Sequence, residues 1–190
     1  MVSQIKVNEI IKQSGSSITI GESGDTITLG AALPVGSGGT GSTTLAGAGL
    51  SNTPAFGVTL SGNQSLPDGT FTKITFDNEL WDSDSAFASN KFTVPSGKAG
   101  KYFFTVIGYT DGQDDGEHFV LAFYKNGSRI YREVGWTSPS ADAGMRAMAS
   151  VTLDLAVSDY VEVYAYQNEG SARNLQSQYT QFSGHKLIGV

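Results

Sequence analysis

Phe119-Val-Leu-Ala-Phe-Tyr-Lys-Asn126-Gly127-Ser-Arg-Ile130-Tyr131 sets one dipeptide between two apolar runs. A two-residue type I′ turn needs positive φ at both central positions, and Asn-Gly supplies it with little strain. The stretch reads as a β-hairpin. Outward from it the same pattern repeats, with strands expected at 56–61, 70–77, 90–94, 101–110, 117–124, 128–136, 145–156, 159–166 and 181–189. The remaining turns are expected at Pro67-Asp-Gly69, Pro95-Ser-Gly97, Asp111-Gly112 and Ser158-Asp159. Regularly spaced strands without helical periodicity indicate an all-β fold, most simply a jelly-roll β-sandwich.

The strands differ in how many of their faces are apolar. Val151, Leu153 and Leu155 alternate with Thr152 and Asp154, as where one face of a sheet meets water. Tyr102-Phe-Phe-Thr-Val-Ile107 and Phe119–Tyr124 are apolar on both faces. One face of each fills the sandwich. The other needs a cover, because large exposed apolar patches are uncommon on monomers. A second subunit is one cover and the chain's own loops are another. Tyr102, Phe104, Phe119, Phe123 and Tyr124 are accordingly the expected interface rings.

Every Phe, Tyr and Trp lies between Phe56 and Phe182. Aromatic side chains dominate compact cores, so residues 56–190 form the globular head and residues 1–55 an extended Gly/Ser/Thr-rich arm. Within the arm, Ile18-Thr-Ile20-Gly21 recurs as Ile27-Thr-Leu29-Gly30. A single pair of short strands is marginal in water. Ile18, Ile20, Ile27 and Leu29 gain stability if equivalent faces of several chains meet around one axis; a hairpin folded onto the head is the alternative.

Composition removes several function classes. The net charge is -6, which opposes nucleic acid and anionic membranes as partners because both reward clustered Lys and Arg. There are no cysteines, so disulfides and thiolate metal sites are excluded. The start, Met1-Val-Ser-Gln-Ile-Lys6, lacks the basic and apolar regions of a secretory leader. No apolar run approaches the roughly 20 residues that span a bilayer. Gly36, Gly38 and Gly41 fit a dinucleotide-loop spacing. That loop must sit between a strand and a helix, and Gly47 and Gly49 weaken any helix that would follow.

Leu33-Pro34-Val35, then Gly38-Gly39-Thr40-Gly41-Ser42-Thr43-Thr44 and an Ala/Gly/Leu tail, resembles the Gly-Gly-Thr-Gly segment of bacteriophage tail-fibre proteins. In those proteins the segment joins an attachment region to a distal module. The opening Ile5-Lys-Val-Asn8 with Ser14–Gly21 is similar to the starts of tailed-phage structural proteins. In the head, Phe92-Thr-Val-Pro95, Gly100-Lys-Tyr-Phe-Phe104, Lys125-Asn126-Gly127, Val151–Leu155, Asp159-Tyr-Val161 and Phe182-Ser-Gly184 resemble the globular C1q domain in order. Phe71–Asp77 and Trp81-Asp82 continue the match upstream. Ser158 stands where that family commonly has Gly, and no collagen repeat precedes the head.

The resemblance implies a ten-stranded jelly roll that assembles as a homotrimer and binds rather than catalyses. With the arm, the expectation is a non-enzymatic virion protein. Its head meets a host-surface glycan or protein, and its arm holds another virion protein. A capsid-surface decoration protein and a cellular C1q-like binding module are the alternatives.

Catalysis needs convergent groups, and the only histidines, His118 and His185, fall in separate expected strands. No nucleophile elbow or zinc-binding His pair occurs. Asp111, Asp114, Asp115 and Glu117 form the one acidic cluster. Calcium takes several oxygen ligands, so this cluster is the candidate cation site; a solvated loop is the alternative reading, and no other cofactor is expected. Recognition on a rigid sandwich is usually borne by loops. Trp81, Asp82, Asp84, Trp136, Asp142 and Arg173 are the candidate receptor contacts, with the two tryptophans equally suited to a core.

Overall fold

In the computed structural model of the chain, residues 48, 51–130, 134–137 and 143–188 are described. The expected arm strands around Ile18, Ile20, Ile27 and Leu29 therefore lie outside the described residues, as does Asp142. The strands are β1 (Ala55–Thr59), β2 (Gln64–Leu66), β3 (Thr72–Lys73), β4 (Asn78–Asp82), β5 (Phe87–Ala88), β6 (Lys91–Thr93) and β7 (Gly100–Gln113). They continue as β8 (His118–Lys125), β9 (Ser128–Arg129), β10 (Val134–Thr137), β11 (Ala143–Leu155), β12 (Tyr160–Gln167), β13 (Arg173–Leu175) and β14 (Gln181–Lys186). A single 3₁₀ turn, Ser177–Tyr179, is the one helical element named among the described residues.

All pairings between these strands are antiparallel. The first sheet runs β2-β13-β7-β14-β1-β4, with β11 on the other side of β7. The second runs β10-β8-β12-β6-β5, with β3 on β12 and β9 on β8. The fold is an all-β jelly-roll sandwich, as the sequence pattern implies.

Alternation in β7 shows why the sheets close on each other. Tyr102, Phe104, Val106, Gly108 and Thr110 are buried, and the residues between them are only partly covered. On β8, Phe119, Leu121 and Phe123 are likewise fully buried. Phe56 sits among these rings, 5.2 Å from Phe92 and 4.9 Å from Phe182 between centroids. Burying one such side chain stabilises by about 1.5–3 kcal/mol. Gly184 pairs with both Phe56 and Phe104. A Cβ there would lie 2.4 Å from the Phe104 ring, so only glycine lets the two rings close over β14.

Burial corrects the expected subunit interface. Tyr102, Phe104, Phe119 and Phe123 are wholly inside one subunit, so no second copy can touch them. Tyr102 shows the consequence: its hydroxyl donates to the Lys98 carbonyl at 2.5 Å. Burial, helped by Asp84, pushes its pKa up to about 12. Tyr124 does face outward, but it stacks on Tyr164 at 4.0 Å. Beside it Phe71 lies against Tyr166, with the Arg129 guanidinium 4.1 Å from the Phe71 ring. The chain's own side chains therefore cover this face of β8.

Turn expectations fared unevenly. Asn126 (φ 52°) and Gly127 (φ 77°) take the left-handed geometry of the hairpin. Asp111-Gly112 is not a turn, because β7 continues to Gln113. Gly112 has φ 60°, and the β7–β11 register shifts between Ala143 and Met145. The positive φ serves a β-bulge instead. The expected strand 70–77 keeps ladder pairing only at Thr72–Lys73. There the Gln64 side chain stands in for a neighbouring strand, donating to the Lys73 carbonyl and accepting from the Thr75 amide. The expected strand 128–136 is divided into β9 and β10, and β2, β4, β5 and β13 are additional.

Candidate functional site

Among the expected receptor contacts whose side chains are described, Trp81 is the exposed one, at 48% of its surface. It pairs with Gly57 across β1 and β4, and a Cβ on Gly57 would lie 2.7 Å from the indole nitrogen. The ring therefore lies over Gly57. Asp82 is used locally: its carboxylate accepts the Phe87 amide at 2.7 Å and the Asp84 amide at 3.3 Å. Asp84 lies 3.5 Å from Lys98. Both carboxylates thus shape the loop between β4 and β5. Trp136 is on β10 at the edge of the second sheet, paired with Phe119.

Arg173 is on β13 rather than in a loop, and donates to Glu169 at 2.6 Å. Burial pushes Glu169 upward, but hydrogen bonds from the Asp114 amide and from Arg173 outweigh it and hold the carboxyl below its usual range. β13 and β14 share one side of β7, with Leu175 opposite Thr110 and Trp81 in the row of Thr105, so Arg173 stands about seven residues, or roughly 23 Å, along the strands from Trp81. Arg173 and Trp81 do not form one site.

The acidic stretch is spread rather than convergent. Asp111 lies on β7 and accepts from Gln176 at 2.6 Å. Asp114 and Asp115 are exposed at the tip, and the Glu117 amide closes a turn on the Asp114 carbonyl at 3.2 Å. Among the described residues no group of three or more His, Asp or Glu side chains is placed to hold a metal ion. His118 and His185 are on different sheets, and His185 lies 5.8 Å from the Phe103 ring.

A surface that the sequence reading did not single out is the outer face of the first sheet. Register aligns Met148, Ile107 and Gln181 in one row. The next row is Ser150, Thr105, Ser183, Gly57 and Trp81. Thr152, Phe103 and His185 form a third. These rows contain no carboxylate, ammonium or guanidinium. Met148 is 62% exposed, beside a shallow hollow of about 190 Å³ lined by Thr105, Ile107, Met148, Gln181 and Ser183. At one end Arg146 lies 4.9 Å from the Tyr179 ring, which meets Tyr109 edge-on. Strict alternation in 145–156 was the available signal, since it sets Arg146 and Met148 opposite the buried Met145 and Ala147.

Solved structures share this arrangement of strands. The globular domain of zebrafish complement 1qA protein matches with a TM-score of 0.52 at 19% identity, over 71% of this chain and 98% of its own. The chain shares the jelly-roll fold of that domain. The vertex protein P5 of PRD1 matches with a TM-score of 0.52 at 18% identity, over 72% of this chain and 99% of its own. Murine APRIL matches with a TM-score of 0.52 at 14% identity, over 70% of this chain and 98% of its own. No family model matches the sequence, and no curated protein does. Among the described residues no helix is long and apolar enough to cross a membrane.

Proposed function

We propose that the chain is a non-enzymatic structural and adhesion protein of a virion. It forms a homotrimeric phage fibre whose head contacts a host-surface glycan or protein, while residues 1–55 hold another virion protein. The observation that carries this reading is the likeness of the jelly roll to a phage vertex protein over 99% of that protein's length. The phage-like Gly38-Gly39-Thr40-Gly41 segment ahead of the head adds to it.

Self-association is best supported by the outer face of the first sheet. Interface cores are depleted in charge and enriched in aromatic residues and Met, and the rows through Ile107, Thr105 and Phe103 have that character. This replaces the buried rings with Phe103, Ile107, Met148 and Trp81 as the residues that meet a second copy.

Adsorption competition tests the adhesive role. Host cells preincubated with the purified chain are expected to adsorb fewer phage particles in proportion to the protein added. Undiminished adsorption at saturating protein, with the chain still present on particles, would replace host attachment by a decoration role.

A further inference from the structure

The two sheets leave a lateral gap where edge strand β4 of one stands near edge strand β5 of the other. A cleft of about 260 Å³ opens there, lined by Val58, Phe76, Asp77, Glu79, Phe87, Ala88, Ser89 and Asn90. Its floor belongs to the core: Val58 and Phe76 are buried, and Phe87 is partly so. Its rim is polar and acidic, and no Lys or Arg lines it.

We propose that this cleft binds a single neutral sugar ring of a glycan. Small-ligand sites combine an apolar lining with a few placed polar groups. A pyranose presents both kinds of surface, C–H bonds on its faces and hydroxyls around its edge. Val58, Phe76 and Phe87 meet the first requirement, and Asp77, Glu79, Ser89 and Asn90 the second.

Asp77 and the Ser89-Asn90 turn are held in place before any ligand arrives. Asp77 accepts the Ser61 amide at 2.7 Å and the Ser61 hydroxyl at 2.5 Å, one on each oxygen. A carboxylate offers about four acceptor positions, so both oxygens retain capacity for sugar hydroxyls. The Ser61 hydroxyl, then its amide, hold the Asp77 carboxyl below its usual range, which keeps it an acceptor at neutral pH. Ser89 (φ 53°) and Asn90 (φ 57°) form the tight turn between β5 and β6. Consecutive left-handed residues without glycine are uncommon, and here they bring a hydroxyl and a carboxamide to the same rim. The Lys73 ammonium reaches the Ser89 carbonyl at 3.1 Å but is paired with Glu162 at 2.7 Å, so the Asp77 and Glu79 carboxylates set the sign of the rim and disfavour phosphorylated or acidic sugars.

This inference rests on the adhesive reading and names the chemistry the head would recognise. Its test is saturation-transfer NMR on the full chain with glucose, galactose and N-acetylglucosamine as probes and glucose 6-phosphate as the anionic control. At least one neutral sugar is expected to bind, and the phosphate ester is not. Glu79→Gln removes a charged acceptor, and Asn90→Gly removes the carboxamide while keeping a residue suited to positive φ. Each is expected to weaken sugar binding about 5–10-fold, the effect of one lost hydrogen bond, with an unchanged melting temperature. Absence of transfer for all three neutral sugars, or equal binding by both variants, would overturn the proposal. If the variants lose sugar binding yet block phage adsorption as well as the parent chain, the cleft stands but is not the receptor site. If sugar binds and adsorption is never blocked, the cleft stands and the adhesive reading fails.

Discussion

Asp159 shows how one side chain joins distant turns. One carboxylate oxygen accepts the Asn126 carboxamide at 2.7 Å, and the other accepts the Ala156 amide at 2.9 Å and lies 2.9 Å from the Lys125 ammonium. Asn126 in turn accepts the Tyr160 amide at 2.9 Å. The bond from Asn126, then Lys125 and the Ala156 amide, lower the Asp159 pKa from 3.8 to about 2. A carboxyl lowered on folding takes its proton first in the unfolded chain, so its stabilisation is complete above the unfolded value and is lost as pH falls through the folded one. The melting temperature is therefore expected to fall between about pH 4 and pH 2, and more gently in Asp159→Asn. Parallel curves for the two proteins would show that this carboxylate does not couple folding to protons. The Asn126-Gly127 turn was legible in the sequence because positive φ is a local requirement. The clasp on Asp159 was not, since nothing local links residues 33 positions apart.

β11 was legible from its strict period 2, and β7 and β8 from apolar runs bounded by turn signals. Short pieces such as β2, β5 and β13 carry two or three residues each, too few to show a period. A two-sided apolar strand also hides which face is the core. Tyr102 and Phe104 turn inward and Phe103 and Ile107 outward, and only the ring packed under Gly184 decides it. The same residues set an expectation for the outer face. Lys at both positions 107 and 148 places two ammonium groups in the charge-free rows, outside the core, so folding should persist and self-association should not. The parent chain is expected to sediment as three copies of 20.0 kDa, and the Ile107→Lys/Met148→Lys protein as one, with similar melting temperatures. A Tyr124→Lys control, altering the face already covered by Tyr164 and Phe71, should stay trimeric. Trimerisation of the double variant would move the interface to another face.

A head that engages its host through the proposed cleft, one sugar ring at a time, would bind weakly on its own. The net charge of -6 per chain adds no attraction to an anionic cell surface, since long-range steering needs opposite charge. Useful attachment must then come from several sites engaging one surface together. Linked sites raise apparent affinity by about 10²–10⁴-fold without any new contact, provided the geometry allows them to engage at once. A jelly roll joined to copies of itself through one sheet would hold its clefts at fixed separations, which preserves that gain. The monomeric Ile107→Lys/Met148→Lys protein keeps the cleft formed by Asp77, Glu79, Ser89 and Asn90. It is therefore expected to bind free sugar as the parent does, yet to need at least about 100-fold more protein to block adsorption. Equal blocking by monomer and trimer would mean that a single head suffices, and the case for joint engagement would fall even if both proteins bound the host.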